Sequence, residues 1–355
     1  MSSFLDSRLS GLKAYVPGEQ PKPGEYIKIN TNEFPYPPAP GVAQKTAEAV
    51  ANMNLYCDLT CTNLKKGFEK VFGVDGSNVV FTNGSDEALY LSFLAFCGKD
   101  CGAAFADITY GFYSVYADLC GVEKQIIPLD DELDLIPEEY YNLGKTIFIA
   151  NPNAPTGRKI SNSEISKILE RNPNNIVVID EAYADFSGES AKELLGKYDN
   201  LIVIGTFSKS RGMAGARLGY LISSEEIVQD IEKVKYSINP YNVNSLTQAT
   251  GIAVLENDEY YKNCVAEICQ TRDEFSKDLN EMGFDVIPSK TNFVFAKHPA
   301  FSGIEIAKEL RDRKILIRRF DNIRINEYLR ITIGTPDEMK IVADALREIV
   351  GGGKC

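Results

Sequence analysis

The chain has 355 residues, and its 50 acidic against 38 basic side chains give a formal net charge of −12. With a pI near 4.8, this balance argues against a nucleic-acid or anionic-membrane surface, while leaving room for local basic pockets that take anionic metabolites. The length suffices for two domains or one large core with a smaller lobe, and no apolar run approaches the ~20 residues of a membrane span or follows a basic leader, so a cytoplasmic protein is expected.

Residues 1–42 are rich in turn formers around one plausible short strand, Tyr26-Ile27-Lys28-Ile29. An arm of this kind has no core of its own and should lie across another part of the molecule. Helical patterning begins near residue 43, and Leu64 to Phe72 reads as an amphipathic helix stopped by Gly73. The short strand Val79-Val80-Phe81 runs into Gly84-Ser85-Asp86-Glu87, a glycine turn and helix start whose free N–H groups favour an anion such as phosphate. Plain helix capping explains Ser85 and Asp86 equally well.

Strand-like and helix-like segments then alternate. Ala103 to Ala106 leads to Thr109-Tyr110-Gly111, and Lys145 to Ala150 leads to the turn Asn151-Pro152-Asn153-Ala154-Pro155-Thr156-Gly157. Ile176 to Ile179 leads to Asp180-Glu181-Ala182-Tyr183, and Leu201 to Ile204 leads to Thr206-Phe207-Ser208-Lys209. Near-continuous apolar strands separated by helices indicate an α/β sheet covered on both faces. Each polar cluster falls just past a strand's carboxyl end, where ligands bind in such sheets. Further on, helices are expected over 227–237, 245–255 and 260–282, the last long enough to bridge two lobes. The remainder mixes short strands (292–295, 315–317, 329–333) with helices at 303–313 and 336–349, a smaller α+β lobe.

Most lysines are solvated surface charges, but Lys209 ends a buried strand among Ser, Gly and Ala. Small residues let a bulky ligand approach the backbone, and Arg217 supplies a fixed positive charge eight residues on. Lys209 can form a Schiff base with an aldehyde while Ser208 and Arg217 hold an anionic handle on the same molecule; pyridoxal phosphate carries both groups. Asp180 ends an apolar strand, where an unpaired carboxylate is costly. The ordinary explanation is an arginine partner; the alternative is a carboxylate that keeps a pyridinium nitrogen protonated. Tyr183 can bond the phenolic oxygen of such a ring and Tyr110 can stack on its face, though a tyrosine after a strand is more often packing. Among the eight cysteines, Cys57/Cys61 and Cys97/Cys101 are each four apart, but the single histidine, His298, is distant in sequence. No metal site is therefore expected, the thiols read as reduced and mostly buried, and histidine-based triads are ruled out.

Together, Ser208-Lys209 with Arg217, Asp180-Glu181-Ala182-Tyr183, the Pro152–Gly157 turn and Gly84-Ser85-Asp86-Glu87 resemble the class I/II aminotransferases of the type I pyridoxal-phosphate fold. Among these the chain is most similar to the histidinol-phosphate aminotransferase family, over nearly its whole length. Leu12-Lys13-Ala14-Tyr15-Val16-Pro17-Gly18 and Ile29-Asn30-Thr31-Asn32-Glu33-Phe34-Pro35 look like that family's arm; Ile317-Arg318 and Leu329-Arg330-Ile331-Thr332-Ile333-Gly334-Thr335 look like its substrate-binding segments.

The resemblance implies an α/β fold with a large pyridoxal-phosphate-binding domain at residues 43–255, built on a mostly parallel, seven-stranded sheet between helices. Residues 1–42 and 256–355 would form the arm and a small α+β domain. It implies Lys209 as the Schiff-base lysine and acid–base group, Asp180 against the pyridine nitrogen, Tyr183 on the phenolic oxygen and Tyr110 stacked on the ring. Ser85, Asp86, Ser208 and Arg217 would surround the phosphate. Tyr56 matches a tyrosine that reaches the neighbouring subunit's cofactor, so a homodimer is implied. Arg330 would take the substrate's anionic group, with Arg318, Tyr15 and Asn32 completing the substrate site. The family carries Asn just before Pro-Thr-Gly, where this chain has Ala154; Asn153 is the expected substitute, unless Tyr183 acts alone. The implied activity moves an amino group between L-histidinol phosphate and 2-oxoglutarate, giving imidazole acetol phosphate and L-glutamate in histidine biosynthesis. An aromatic amino acid aminotransferase and a phospho-amino-acid decarboxylase of the same fold are the alternatives. A non-catalytic binding protein is disfavoured by the intact Lys209, Asp180 and Arg217.

Overall fold

The computed structural model describes residues 4–352. In chain order it contains β1 (Ile27–Lys28), α1 (Val42–Ala49), α2 (Thr62–Phe72), β2 (Val79–Asn83), α3 (Gly84–Phe96) and β3 (Ala103–Ala106). There follow α4 (Phe112–Cys120), β4 (Lys124–Ile127), β5 (Thr146–Ala150), α5 (Asn162–Arg171), β6 (Val177–Asp180) and β7 (Leu201–Thr206). The short α6 (Phe207–Ser210) leads to β8 (Leu218–Ile222), α7 (Glu225–Ile238), α8 (Ser245–Glu256) and α9 (Asp258–Glu281). The last part holds β9 (Asp285–Ile287), β10 (Phe293–Lys297), α10 (Gly303–Asp312), β11 (Ile315–Leu316), β12 (Arg318–Arg319), β13 (Leu329–Thr332) and α11 (Pro336–Gly351).

Seven strands form one sheet in the order β2-β8-β7-β6-β5-β3-β4. Neighbours run parallel except at β8, which is antiparallel to both β2 and β7. The reversal has a simple cause: a parallel crossover needs a dozen or more residues, and the connection 207–217 is shorter than that. It therefore turns back at the carboxyl rim and keeps Lys209 and Arg217 there. Along β6 and β7 the strict two-residue period divides the apolar side chains between two cores. Val177, Ile179, Leu201 and Val203 face one of them, while Val178, Ile202 and Ile204 face the other.

The smaller sheet, β12-β13-β10-β9, is antiparallel and packs with α9, α10 and α11 around a third core that includes Phe275, Phe284, Phe293 and Ile331. The N-terminal arm borrows its partners, as expected: Ile27 and Lys28 pair with Ile315 and Leu316 of β11, and the Thr332 N–H donates to the Ile29 carbonyl at 3.0 Å. Helix limits follow side-chain chemistry. Ser161 with Glu164 and Thr335 with Glu338 form capping boxes on α5 and α11, and Gly73 at φ 68° closes α2. β4 escapes the sequence reading because it is an edge strand with only Ile127 fully buried, leaving no apolar run to see.

Candidate active site

The carboxyl ends of β5, β6 and β7 and the start of α3 open onto a cavity of about 350 Å³. Ser85, Asp86, Tyr110, Asp180, Tyr183, Ser208, Lys209 and Arg217 all line it. An adjoining space of about 360 Å³ shares Thr31, Tyr110, Ala154, Tyr183 and Lys209 and adds Tyr15, Asn32, Arg318 and Arg330. Lys209 and Tyr183 thus stand at the junction. The two spaces collect every site residue expected from the sequence except Asn153 and Tyr56.

Asp180 is 5% exposed, and its partner is not an arginine. The Tyr113 hydroxyl donates to Oδ2 at 2.8 Å and the Ala182 N–H to Oδ1 at 3.2 Å. Burial pushes the carboxyl up to about 6, the two hydrogen bonds and Lys209 opposing it only in part. Asp180 forms no ion pair among the described residues, so the floor of the cavity carries an uncompensated acid. Such an acid is satisfied by a cation in the cavity, and a protonated ring nitrogen is one.

At the other end of the same cavity, the Thr206 side chain caps the turn carrying Lys209, accepting from the Ser208 N–H. Arg217 adopts the left-handed conformation (φ 54°) and donates from Nη2 to Asp86 Oδ2 at 2.8 Å. The Tyr110 hydroxyl donates to Asp86 Oδ1 at 2.7 Å. One carboxylate therefore fixes both the guanidinium and the aromatic ring; Asp86 orients the cation, and Arg217, Ser208 and the N–H groups of the first turn of α3 are donors that could hold an anion. Two glycines make the approach possible. A Cβ on Gly84 (φ 76°) would collide with Arg217 Nη2, and one on Gly219 with the Gly84 carbonyl carbon. Lys209 Nζ donates to the Thr31 carbonyl at 3.3 Å.

In the adjoining space the cations dominate. Arg330 is half-buried, and desolvation lowers its pKa. Its Nη2 donates to the Asn30 carbonyl at 2.9 Å, its Nε has no partner, and its guanidinium lies 5.3 Å from the Phe293 ring and 5.4 Å from the Phe320 ring. Arg318 stands opposite it on β12 and lies 5.6 Å from Phe320. Tyr15 stacks on Phe112 at 4.3 Å at the mouth; burial raises its pKa against the pull of Arg318 and Arg330. A half-enclosed pair of arginines ringed by aromatic faces is built to take an anion.

Asn153 is not brought to the cavity. Its side-chain amide donates to the Ile108 carbonyl and to Thr156, and its Oδ1 accepts from Thr109 at 2.8 Å, so all of its polar atoms hold the turn together. Ala154, not Asn153, lines both spaces. Tyr56 is 83% exposed and stacks on Tyr241 at 4.5 Å, away from the cavity of its own chain. Asn32 reaches the wall, but its amide bonds Tyr183 and Thr332.

The sequence matches the model of the family "Aminotransferase class I and II" over residues 24–346. The chain belongs to that family. Among curated proteins, this aminotransferase is 42% identical over 352 residues to the histidinol-phosphate aminotransferase of Brachyspira hyodysenteriae, covering 99% of both chains. It is also 42% identical to that of Marinomonas sp. over 353 residues, 98% of this chain and all of the other. A solved structure of histidinol-phosphate aminotransferase from Sinorhizobium meliloti in complex with pyridoxal-5'-phosphate superposes with a TM-score of 0.88 over 99% of both chains at 22% identity, which shows the same fold.

The sequence assigns no site role to Tyr113 or Thr31, which hold Asp180 and Lys209. Tyr113, fully buried in the first turn of α4, holds Asp180; its signal is a tyrosine at the start of the helix that follows the polar cluster after β3. Thr31, whose carbonyl holds Lys209, contributes through its backbone, and backbone contacts leave no trace in residue type.

Proposed function

We propose that this aminotransferase uses pyridoxal phosphate to move an amino group between L-histidinol phosphate and 2-oxoglutarate, forming imidazole acetol phosphate and L-glutamate. The observation that carries the reading is the pairing of two unmatched charges across Lys209. Asp180 is a buried acid without a cation, and Arg330 is a half-buried cation without an acid among the described residues. The cavity fits the cofactor: Asp180 suits the ring nitrogen, and Tyr183 suits the ring oxygen. Tyr110 suits the ring face, and Ser85, Ser208, Arg217 and the α3 N–H groups suit the phosphate. Pyridoxal phosphate supplies an aldehyde that condenses with amines and a protonated ring that withdraws electrons from the neighbouring carbon. Asp180 keeps a proton on the ring nitrogen by its charge. Lys209, at the junction of the two spaces, is the amine that carries a proton to and from the substrate carbon. Arg330 and Arg318 orient the substrate through its phosphate or carboxylate, which suits both an amino alcohol phosphate and glutamate.

A homodimer and a cytoplasmic setting belong to the same proposal. Val50, Met53, Leu55, Tyr56, Ile238 and Tyr241 are exposed apolar residues, an unusual concentration on a monomer surface, and this supports Tyr56 reaching a partner's cofactor. The separate cores support the division into 43–255 on one side and 1–42 with 256–355 on the other. Absorbance of the protein loaded with pyridoxal phosphate tests the reaction. Adding L-histidinol phosphate should convert the cofactor's long-wavelength band to a shorter-wavelength one in wild type and not in Lys209→Ala. A band that responds only to phenylalanine or tyrosine would make the chain an aromatic aminotransferase, and carbon dioxide release from an O-phospho amino acid would make it a decarboxylase.

A further inference from the structure

Three consecutive residues of the arm each touch a different functional side chain. The Asn30 carbonyl accepts from Arg330, the Thr31 carbonyl accepts from Lys209, and Asn32 Nδ2 donates to the Tyr183 hydroxyl at 2.7 Å. The last contact has a defined direction. The Asn32 backbone N–H donates to Thr332 Oγ1 at 3.0 Å, so the Thr332 proton is left for Asn32 Oδ1, 2.9 Å away. With Oδ1 occupied by that hydroxyl, the amide has to present Nδ2 to Tyr183. A hydroxyl that accepts from Asn32 directs its own proton elsewhere, and among the described residues no protein atom accepts it. Tyr183 is only 8% exposed and lines the cavity, so its hydroxyl proton is left for an acceptor there. Asn32 holds this arrangement in the left-handed conformation (φ 56°), 1% exposed, on a strand-bound segment. Each side-chain polar atom of Asn32 thus has a protein partner, while the second Nδ2 hydrogen is left for the substrate contact expected of it.

We propose that Asn32 is a positioning residue: through the Thr332–Asn32–Tyr183 chain it makes the Tyr183 hydroxyl a one-way donor into the cavity. This rests on the pyridoxal-phosphate reading, in which the acceptor is the ring's phenolic oxygen. Ala154 offers no second donor there, so the direction of the one Tyr183 bond sets how well the anionic oxygen is stabilised. Losing that donor disfavours the deprotonated form and raises the pH at which the bound cofactor's absorbance changes.

The test is a spectral pH titration of the pyridoxal-phosphate-loaded protein in wild type, Asn32→Gly, Asn32→Asp, Tyr183→Phe and the two double variants. Glycine tolerates the left-handed backbone and removes the amide. Aspartate keeps the shape but accepts the Tyr183 proton instead of donating, which covers the case where the glycine variant does not fold. Each Asn32 variant should raise the midpoint by about one unit, the size expected for loss of one hydrogen bond to a charged oxygen. Tyr183→Phe should raise it as much, and Asn32→Gly should add nothing in the Tyr183→Phe background; Asn32→Asp should add less there than it does alone. An unmoved midpoint in the Asn32 variants, or the same shift with and without Tyr183, overturns the proposal. Absence of any cofactor band in wild type overturns the cofactor reading instead, and this inference with it.

Discussion

Arg318 and Arg330 stand directly opposite one another in the antiparallel register of β12 and β13, and neither forms an ion pair among the described residues. Like charges facing across a sheet are destabilising. The arrangement is relieved when one anion lies between the two guanidinium groups.

Arg330→Gln should therefore raise KM for L-histidinol phosphate by about 10- to 100-fold, the equivalent of a charge-assisted hydrogen bond worth ~1.5–3 kcal/mol. Inorganic phosphate should raise the Tm of wild-type protein already loaded with cofactor, and should do so much less in the variant. Equal stabilisation of the two proteins would place the anion elsewhere.

Asp180 predicts a pH dependence of stability in the cofactor-free protein. Its carboxyl is raised from 3.8 to about 6, so the folded chain holds that proton more tightly than the unfolded chain does. The stabilisation is complete below pH ~4 and lost as the pH rises through ~6, leaving a cost of about 3 kcal/mol at neutral pH. Glu181, pushed up to about 7 by burial, acts in the same direction. For that reason the comparison is with Asp180→Asn. That variant should be the more stable of the two at pH 7.5, should gain less on acidification to pH 5, and should lose more than about 100-fold in transamination rate. Thermal melts at the two pH values and a single-turnover assay decide it.

Tyr113→Phe keeps the buried ring and deletes only the hydroxyl that donates to Asp180. Without that donor the carboxyl is still harder to ionise. The acidic limb of the kcat profile should move to higher pH, with KM for the amino donor little changed. A KM effect alone would mean that Tyr113 merely shapes the cavity.

The turn at 151–157 separates two neighbouring positions. Asn153→Ala should cost about 1–3 kcal/mol of stability, because it leaves the part-buried Thr109 hydroxyl and the buried Ile108 carbonyl unmatched, and should leave the cofactor spectrum alone. Ala154→Asn, facing both spaces, should lower the pH midpoint of the cofactor's absorbance change by adding a donor near Tyr183. A spectral titration of both variants checks the pair, and a midpoint that moves with Asn153 would reverse the assignment.

The sequence by itself determined the buried strands of the sheet, its covering helices and the polar residues at its rim. Apolar strands such as Val177–Asp180 and Leu201–Thr206 are buried on both faces, so local composition records them, and the polar residue at each carboxyl end is recorded with them. Lys209, Asp180 and Arg217 were legible for that reason, because a charged side chain in an apolar or small-residue context is itself the signal, whereas Arg330 was implied only by the family resemblance. Tertiary structure alone decided which partners those charges have. Asp180 meets a tyrosine and no arginine, and Asp86 holds Arg217. Asn153 turns inward while Ala154 faces the cavity, and Asn32 supports Tyr183 from 151 residues away. Such contacts depend on the direction of single hydrogen bonds and on backbone carbonyls such as those of Asn30 and Thr31. These are positions in space that residue type and spacing do not encode.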